Sequence, residues 1–178
     1  MRGGRLWRNL DFLLYIAMVT MLAFSVRLFL SEPIRVDGDS MIPTLLHNEY
    51  MFVEKVTYWF AAPERGDIVI CYYPGYTDSC VKRVIALPGE RVRVTDGRVY
   101  INGEPLDESS YWDDEIMGDF EEVRVEANEV FVMGDNRNGS KDSRTASVGN
   151  ISFMRIVGKV HAVIWPLSEY RTFRQVRY

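Results

Sequence analysis

Apolar and polar positions divide the chain into two regimes. From Leu10 to Val26, "LDFLLYIAMVTMLAFSV", the sequence is apolar on all sides apart from Asp11 near its edge, and Leu28 to Leu30 extend the run to about the 20 residues that a bilayer core requires. This pattern predicts one membrane-crossing helix over residues 10–30. After Ser31 the rhythm shortens. "MFVEKVTYW", "GDIVICYY", "VKRVIAL", "ERVRVTDGRVYING", "NEVFVMG" and "GKVHAVIWPL" are rich in Val, Ile, Tyr and Phe and are separated by Gly, Pro and Asp, the signature of short strands. Within "VRVTDGRVYI" two alternating strands meet at Asp96-Gly97, which suits a two-residue primed turn. The expected fold is therefore mostly β, with packed antiparallel sheets preceded by one N-terminal transmembrane helix. The stretch Asp107–Glu122 breaks the strand rhythm with acidic and aromatic residues and is expected to be an exposed loop; it lacks the spacing and central glycine of a calcium loop.

Length and charge sharpen this picture. A chain of 178 residues suits one hydrophobic core. The net charge of -4 conceals an asymmetry, because residues 1–30 hold Arg2, Arg5, Arg8 and Arg27 against Asp11 alone, leaving an acidic remainder without a basic run. Phosphate binding needs clustered Lys and Arg, so nucleic acid is not an expected partner. Three arginines ahead of the apolar run place residues 1–9 in the cytoplasm as a basic tail and residues 31–178 outside the membrane as a β domain. The competing reading is a cleaved leader. Such segments carry apolar regions of only ~7–15 residues ending at a small-x-small site, unlike "RLFLSEPIRV" here, and Arg27 lies where it can snorkel to the interface. The aromatic residues near the start of the β domain, with "YWF" at Tyr58 to Phe60, suggest a surface that dips into the lipid interface.

Several side chains carry possible chemistry. Cys71 and Cys80 flank "YYPGYTDS", whose Pro74-Gly75 pair marks a turn, so the two can face each other across a hairpin. Outside the cytoplasm that geometry favours a disulfide; the alternative is two free, buried thiols. Ser40 in "GDSMIPTL" places a hydroxyl between an acidic turn and a proline. To act as a nucleophile it needs a base. His47 and His161 stand in no recognisable motif. Of the lysines at 55, 82, 141 and 159, Lys82 lies between Val81 and Val84-Ile85-Ala86, where poor solvation would push the amine toward its neutral form.

"SMIPTL" (40–45), "RGDIVI" (65–70), "KRVIALPGE" (82–90) and "GDNRNGSKDSR" (134–144), in this order, resemble the four successive sequence boxes of bacterial type I signal peptidases. The resemblance extends to "SEPIRV" and to "IVGKV…IWPL" and covers most of the chain. It implies a membrane-anchored serine endopeptidase that removes signal peptides from exported preproteins, with the preproteins, the lipid bilayer and the protein-export translocon as partners and with no metal or organic cofactor. It makes Ser40 the nucleophile and Lys82 the general base, gives Ser140 the role of orienting the lysine, and makes Asp142 and Arg144 a supporting pair. One departure is Gly38, where one branch of the family carries a serine that serves the oxyanion hole. The chain is similar to the shorter branch, in which the Ser40 backbone N–H supplies much of that stabilisation; a second donor is not identifiable in the sequence. The family cleaves after small residues of the Ala-x-Ala type and is expected to bind extended substrate along strand edges. Ile34, Val36, Met41, Leu45 and Val81 are the candidate walls of the substrate pockets, although the same side chains would serve equally as core.

Three rivals stand beside this reading. A self-cleaving repressor shares the chemistry but would carry a DNA-binding domain in place of residues 1–30. A processing peptidase with a narrow substrate set would share every box. A catalytically silent membrane-anchored β module would keep the fold, but it has no reason to hold Ser40, Lys82, Ser140 and Asp142 in their motif positions.

Overall fold

The computed structural model describes residues 3–25, 31–173 and 176. Helix α1 (Gly3–Ser25) is followed by β1 (Ser31–Arg35), β2 (Tyr50–Glu54), a single helical turn α2 (Thr57–Phe60), β3 (Ile68–Tyr72) and β4 (Ser79–Ala86). Then come β5 (Arg91–Thr95), β6 (Arg98–Ile101), β7 (Glu104–Pro105), β8 (Phe120–Arg124), β9 (Glu129–Met133), β10 (Ile151–Ser152), β11 (Ile156–Trp165) and β12 (Arg171–Thr172). The larger sheet has the order β1-β2-β11-β3-β4-β9-β10, with β12 pairing β11, and the smaller has the order β7-β6-β5-β8. The strand pairs are antiparallel throughout the described residues. The mostly β expectation holds.

The N-terminal helix differs from its predicted bounds. It is described over Gly3–Ser25, which covers positions 10–25 of the expected span, and positions 26–30 lie outside the described residues. Among the described residues no helix is long and apolar enough to cross a membrane. Arg5, Arg8 and Asp11 fall within the N-terminal part of the helix sequence, and the residues after Asp11 are mostly apolar. Of these, Phe12, Leu14, Met18, Met21, Leu22 and Phe24 are all more than half exposed.

Strand formation follows side-chain patterning where the pattern was clear. Arg91–Thr95 and Arg98–Ile101 form the predicted hairpin, with Thr95 opposite Arg98 and positive φ at both Asp96 (49°) and Gly97 (72°), as a primed turn demands. "MFVEKVTYW" does not remain a strand. The Glu54 carboxylate accepts the backbone N–H groups of Val56 and Thr57 and the Thr57 hydroxyl, which turns the chain into α2. The acidic stretch is also less exposed than expected: it buries Glu108, Tyr111 and Ile116 and passes into β8.

Three apolar clusters make up the core. One, including Met51, Val53, Ile68, Ile70 and Val160, lies under β2, β3 and β11. A second joins β4 and β9 to the smaller sheet through Ile85, Phe131, Met133, Val92 and Val99. The third, with Val69, Cys71, Val84, Val130 and Val132, covers the opposite face of β3 and β4. β3 and the segment Val81–Ala86 of β4 are consequently buried on both faces, and Lys82 lies within that segment. β1 is an edge strand, which accommodates Pro33 without loss of an interior ladder bond.

Candidate active site

Ser40 lies in the turn between β1 and β2 and is held by local bonds from Ile42 N–H to the Asp39 carbonyl and from Leu45 N–H to the Met41 carbonyl. Lys82 projects from β4, forty-two residues away in sequence, and its Nζ stands 2.7 Å from Ser40 Oγ. The same amine donates to the Val81 carbonyl at 2.7 Å. Lys82 is only 3 % exposed. Burial among apolar side chains drives its pKa below the ordinary lysine value, and Cys80, Cys71, Asp142 and Asp135 oppose that shift. An amine that loses its proton easily and touches a serine hydroxyl is suited to accept the hydroxyl proton. Within the described residues no hydrogen bond is made by the Ser40 backbone N–H, which leaves it available to an oxyanion.

The histidines have other duties. His47 Nδ1 accepts the Gly38 N–H at 3.0 Å, and His161 faces Glu54 at 3.6 Å. Gly38 itself adopts φ +96°, a left-handed conformation that a serine side chain would strain, so the glycine at this position has a backbone reason.

The "GDNRNGSKDSR" segment folds back beside Ser40. Asp142 is fully buried and accepts the Gly134 N–H (3.0 Å) and both Nε and Nη2 of Arg144 (2.8 Å each). Arg144 Nη2 also reaches the Arg137 carbonyl at 2.6 Å. Asp142 and Arg144 thus form an ion pair that ties residues 134–144 together. Ser140 differs. Its hydroxyl reaches the Lys141 carbonyl at 3.4 Å, while the bonds of the Lys82 amine go to Ser40 and Val81. Ser140 instead packs on Gly134, where an added Cβ would come within 2.2 Å of Ser140 Oγ and 2.3 Å of the Ser40 carbonyl.

The five candidate pocket residues come together in one apolar cluster, but mostly as core. Val36, Met41, Leu45 and Val81 are at most 8 % exposed, and Ile34 packs on them partly buried. Cys71 and Cys80 occupy directly opposite positions of β3 and β4, yet they are free thiols with sulfurs 3.7 Å apart. The hairpin placement is as predicted and the disulfide is not formed. The Cys71 hydrogen bond to Cys80 holds the Cys80 thiol down at about 7, while that same bond and burial push the Cys71 thiol up.

Sequence reasoning missed an ionic layer behind the dyad. Arg83 makes a two-pronged contact with Asp135 (Nε–Oδ1 2.8 Å, Nη2–Oδ2 2.6 Å) and lies 4.1 Å above the Tyr111 ring. Arg137 pairs with Glu108 at 2.5 Å. All four charged residues are buried. The alternation of Lys82 with Arg83, and of Asp135 with Arg137, hinted at charges on adjoining positions, but partners 29 and 52 residues apart are invisible without the fold. A cavity of about 590 Å³ lined by Asp107, Glu108, Asp113, Asp114, Glu115 and Trp112 does not include Ser40 or Lys82. Among the described residues no cluster of side chains fit to hold a metal ion is present.

Comparison with known proteins shows the family. The family model "Signal peptidase, peptidase S26" matches residues 9–165. The chain is 37% identical over 161 residues to signal peptidase I of Leptolyngbya laminosa, covering 86% of this chain and 78% of the relative. It is 39% identical over 165 residues to signal peptidase I T of Bacillus subtilis, covering 88% and 85%. A solved signal peptidase I from Enterococcus faecalis V583 aligns at 30% identity over 56% of this chain and 97% of its own, with a TM-score of 0.48. From the family match and these identities, the chain belongs to the signal peptidase I family of serine endopeptidases, peptidase S26.

Proposed function

We propose that this chain removes N-terminal signal peptides from exported preproteins, cutting after small residues of the Ala-x-Ala type through an acyl-enzyme on Ser40 with Lys82 as the general base. The observation that carries this reading is the 2.7 Å contact between the buried Lys82 amine and the Ser40 hydroxyl. In the first half-reaction the neutral amine takes the hydroxyl proton as Oγ attacks the scissile carbonyl carbon, and the Ser40 N–H faces the developing oxyanion. Collapse breaks the C–N bond, and Lys82 returns the proton to the leaving amine. In the second half-reaction Lys82 takes a proton from water as its oxygen attacks the ester carbonyl carbon; collapse breaks the C–Oγ bond, Lys82 returns the proton to Ser40 Oγ, and the signal peptide leaves as a carboxylic acid. Ser140, Asp142 and Arg144 shape the loop on which this geometry rests. Extended substrate has a free edge to pair with: β9 meets β4 only from Arg83 onward, so Ser79–Lys82 has no partner on that side within the sheet.

The reading includes a membrane anchor in the N-terminal segment, with residues 31–178 outside the cytoplasm beside the export translocon. The exposed apolar row from Phe12 to Phe24 supports it, since those side chains pack on nothing described. The β1–β2–β11 face adds support, with Tyr50 and Phe52 exposed on β2 and Trp165 exposed directly opposite Tyr50.

The test is cleavage of a purified preprotein in detergent by wild type, Ser40→Ala and Lys82→Met, with the new N-terminus mapped by mass spectrometry. Activity is expected in wild type alone, lost by at least about 1000-fold in both variants, with the cut after a small-x-small sequence. An active Lys82→Met sinks the lysine base. Wild type inert on several preproteins would favour a peptidase of narrow substrate range or a silent module.

A further inference from the structure

Both reacting groups of Ser40 depend on how its backbone is held, and the strongest hold comes from a residue that none of the site roles above includes. Asn136 lies in the loop after β9. Its side-chain Nδ2 donates to the Asp39 carbonyl at 3.1 Å, and its backbone N–H donates to the Ser40 carbonyl at 3.1 Å. These are consecutive carbonyls, one on each side of the Ser40 Cα. A peptide unit is planar and trans, so its carbonyl and N–H point in opposite directions and cannot turn independently. Fixing the Asp39 carbonyl therefore fixes the direction of the Ser40 N–H, the group expected to meet the oxyanion. Fixing the Ser40 carbonyl as well sets the second plane, and with both planes set the direction of the Ser40 Cα–Cβ bond follows, while the contact with Lys82 holds the hydroxyl about that bond. Donation to the Asp39 carbonyl also polarises that amide, which makes its N–H a stronger donor.

Asn136 is in turn held in place. Its Oδ1 accepts the Gly139 N–H at 3.1 Å. Gly139 leaves the room that the amide occupies: a Cβ there would stand 2.6 Å from Asn136 Nδ2 and 2.9 Å from its Cγ. The glycine and the asparagine form one device, in which the missing side chain of the first admits the amide of the second.

We infer that Asn136, seated against Gly139, is the positioning residue that aims the Ser40 N–H, and with it the Ser40 Cα–Cβ bond, for oxyanion formation, acting on turnover and not on substrate binding. This rests on the Ser40 nucleophile proposed above. Asn136→Ala removes the amide, and Gly139→Ala displaces it while leaving residue 136 intact. Each is expected to lower kcat about 10- to 100-fold, the range for a misaimed oxyanion donor, with KM within about twofold of wild type. The midpoint of the pH–kcat/KM profile should not move, because no charge near Lys82 changes. A peptide boronate, which forms a tetrahedral anionic adduct on a serine, should lose affinity by a similar factor, while an uncleavable peptide of the same sequence should bind as before. In the double variant the second substitution should add little, because both act through one amide.

Ser40→Ala assayed alongside separates the two levels of the argument. If Ser40→Ala is inactive while both single variants keep kcat within about twofold, the Asn136 inference is overturned and the nucleophile stands. The inference is likewise overturned if kcat falls only together with KM, Tm and uncleavable-peptide affinity, or if the two effects multiply in the double variant. If Ser40→Ala retains activity, the nucleophile reading fails and takes this inference with it.

Discussion

Lys82 shows how one buried residue couples catalysis to stability. Its burial lowers its pKa, and four acidic groups resist the fall without reversing it. The activity limb governed by the neutral amine should therefore have its midpoint below the ordinary lysine value of about 10.4. A kcat/KM profile measured from pH 5 to 11 checks this, and a midpoint at or above the ordinary value would contradict it. The same shift has a thermodynamic sign. Between the lowered folded pKa and the ordinary unfolded one, the unfolded chain binds more protons, so stability rises with pH across that window and the buried amine costs stability below it. Lys82→Met, which keeps the apolar stem and removes the ammonium, should melt at a higher temperature than wild type at pH 7, with the advantage shrinking as pH rises toward about 10.4 and gone above it. Thermal melts at the two pH values decide the matter; a lower Tm at pH 7 would show that the contacts of the amine outweigh its desolvation.

At the scale of elements, the β3–β4 hairpin carries most of what distinguishes this site. It sets Cys71 opposite Cys80 and sends Lys82 inward from the same face two residues on. Because Cys80 is half-buried with its thiol near 7 and Cys71 is fully buried with its thiol raised, the two should differ in reactivity. Iodoacetamide on the native reduced protein should modify Cys80 with a half-maximal rate near pH 7 and leave Cys71 unmodified, as read by peptide mass mapping. Preferential labelling of Cys71 would refute the arrangement, and protection of both after mild oxidation would indicate that the 3.7 Å gap closes to a disulfide.

This hairpin also marks where the sequence was legible. Its strands, its turn and the Asp96-Gly97 hairpin after it follow from period-two apolar patterning and turn chemistry, which are local. The proximity of Ser40 and Lys82 was legible through the order of the motifs that carry them. What escaped were interactions joining remote segments: Arg83 to Asp135, Arg137 to Glu108, and Asn136 to the carbonyls of Asp39 and Ser40. Local competition hid other features. Glu54 turns an apparent strand into a helical turn. Ser140 was placed by motif position, but the direction of its hydroxyl, toward the Lys141 carbonyl and against Gly134, is a matter of packing that the motif's spelling does not show.

For the molecule as a whole, the exposed aromatic face of β2 and β11 should matter at a lipid surface. A fragment lacking residues 1–30 is expected to float with liposomes of bacterial lipid composition, and replacing Phe52 and Trp165 by alanine should reduce the floating fraction several-fold without loss of peptide-cleaving activity in detergent. Absence of the unsubstituted fragment from the lipid layer would remove this surface from the reading.

The strand order has a mechanical meaning as well. β1 and β2 flank the turn that carries Ser40, yet β2 has no direct pairing with β3 or β4; its link to the strand carrying Lys82 runs through β11, at residues Lys159 to Trp165. Within the sheet, the Ser40 side and the Lys82 side are therefore joined by a segment that carries neither of these side chains, so a substitution that loosens β11 should disturb their 2.7 Å contact without touching either one.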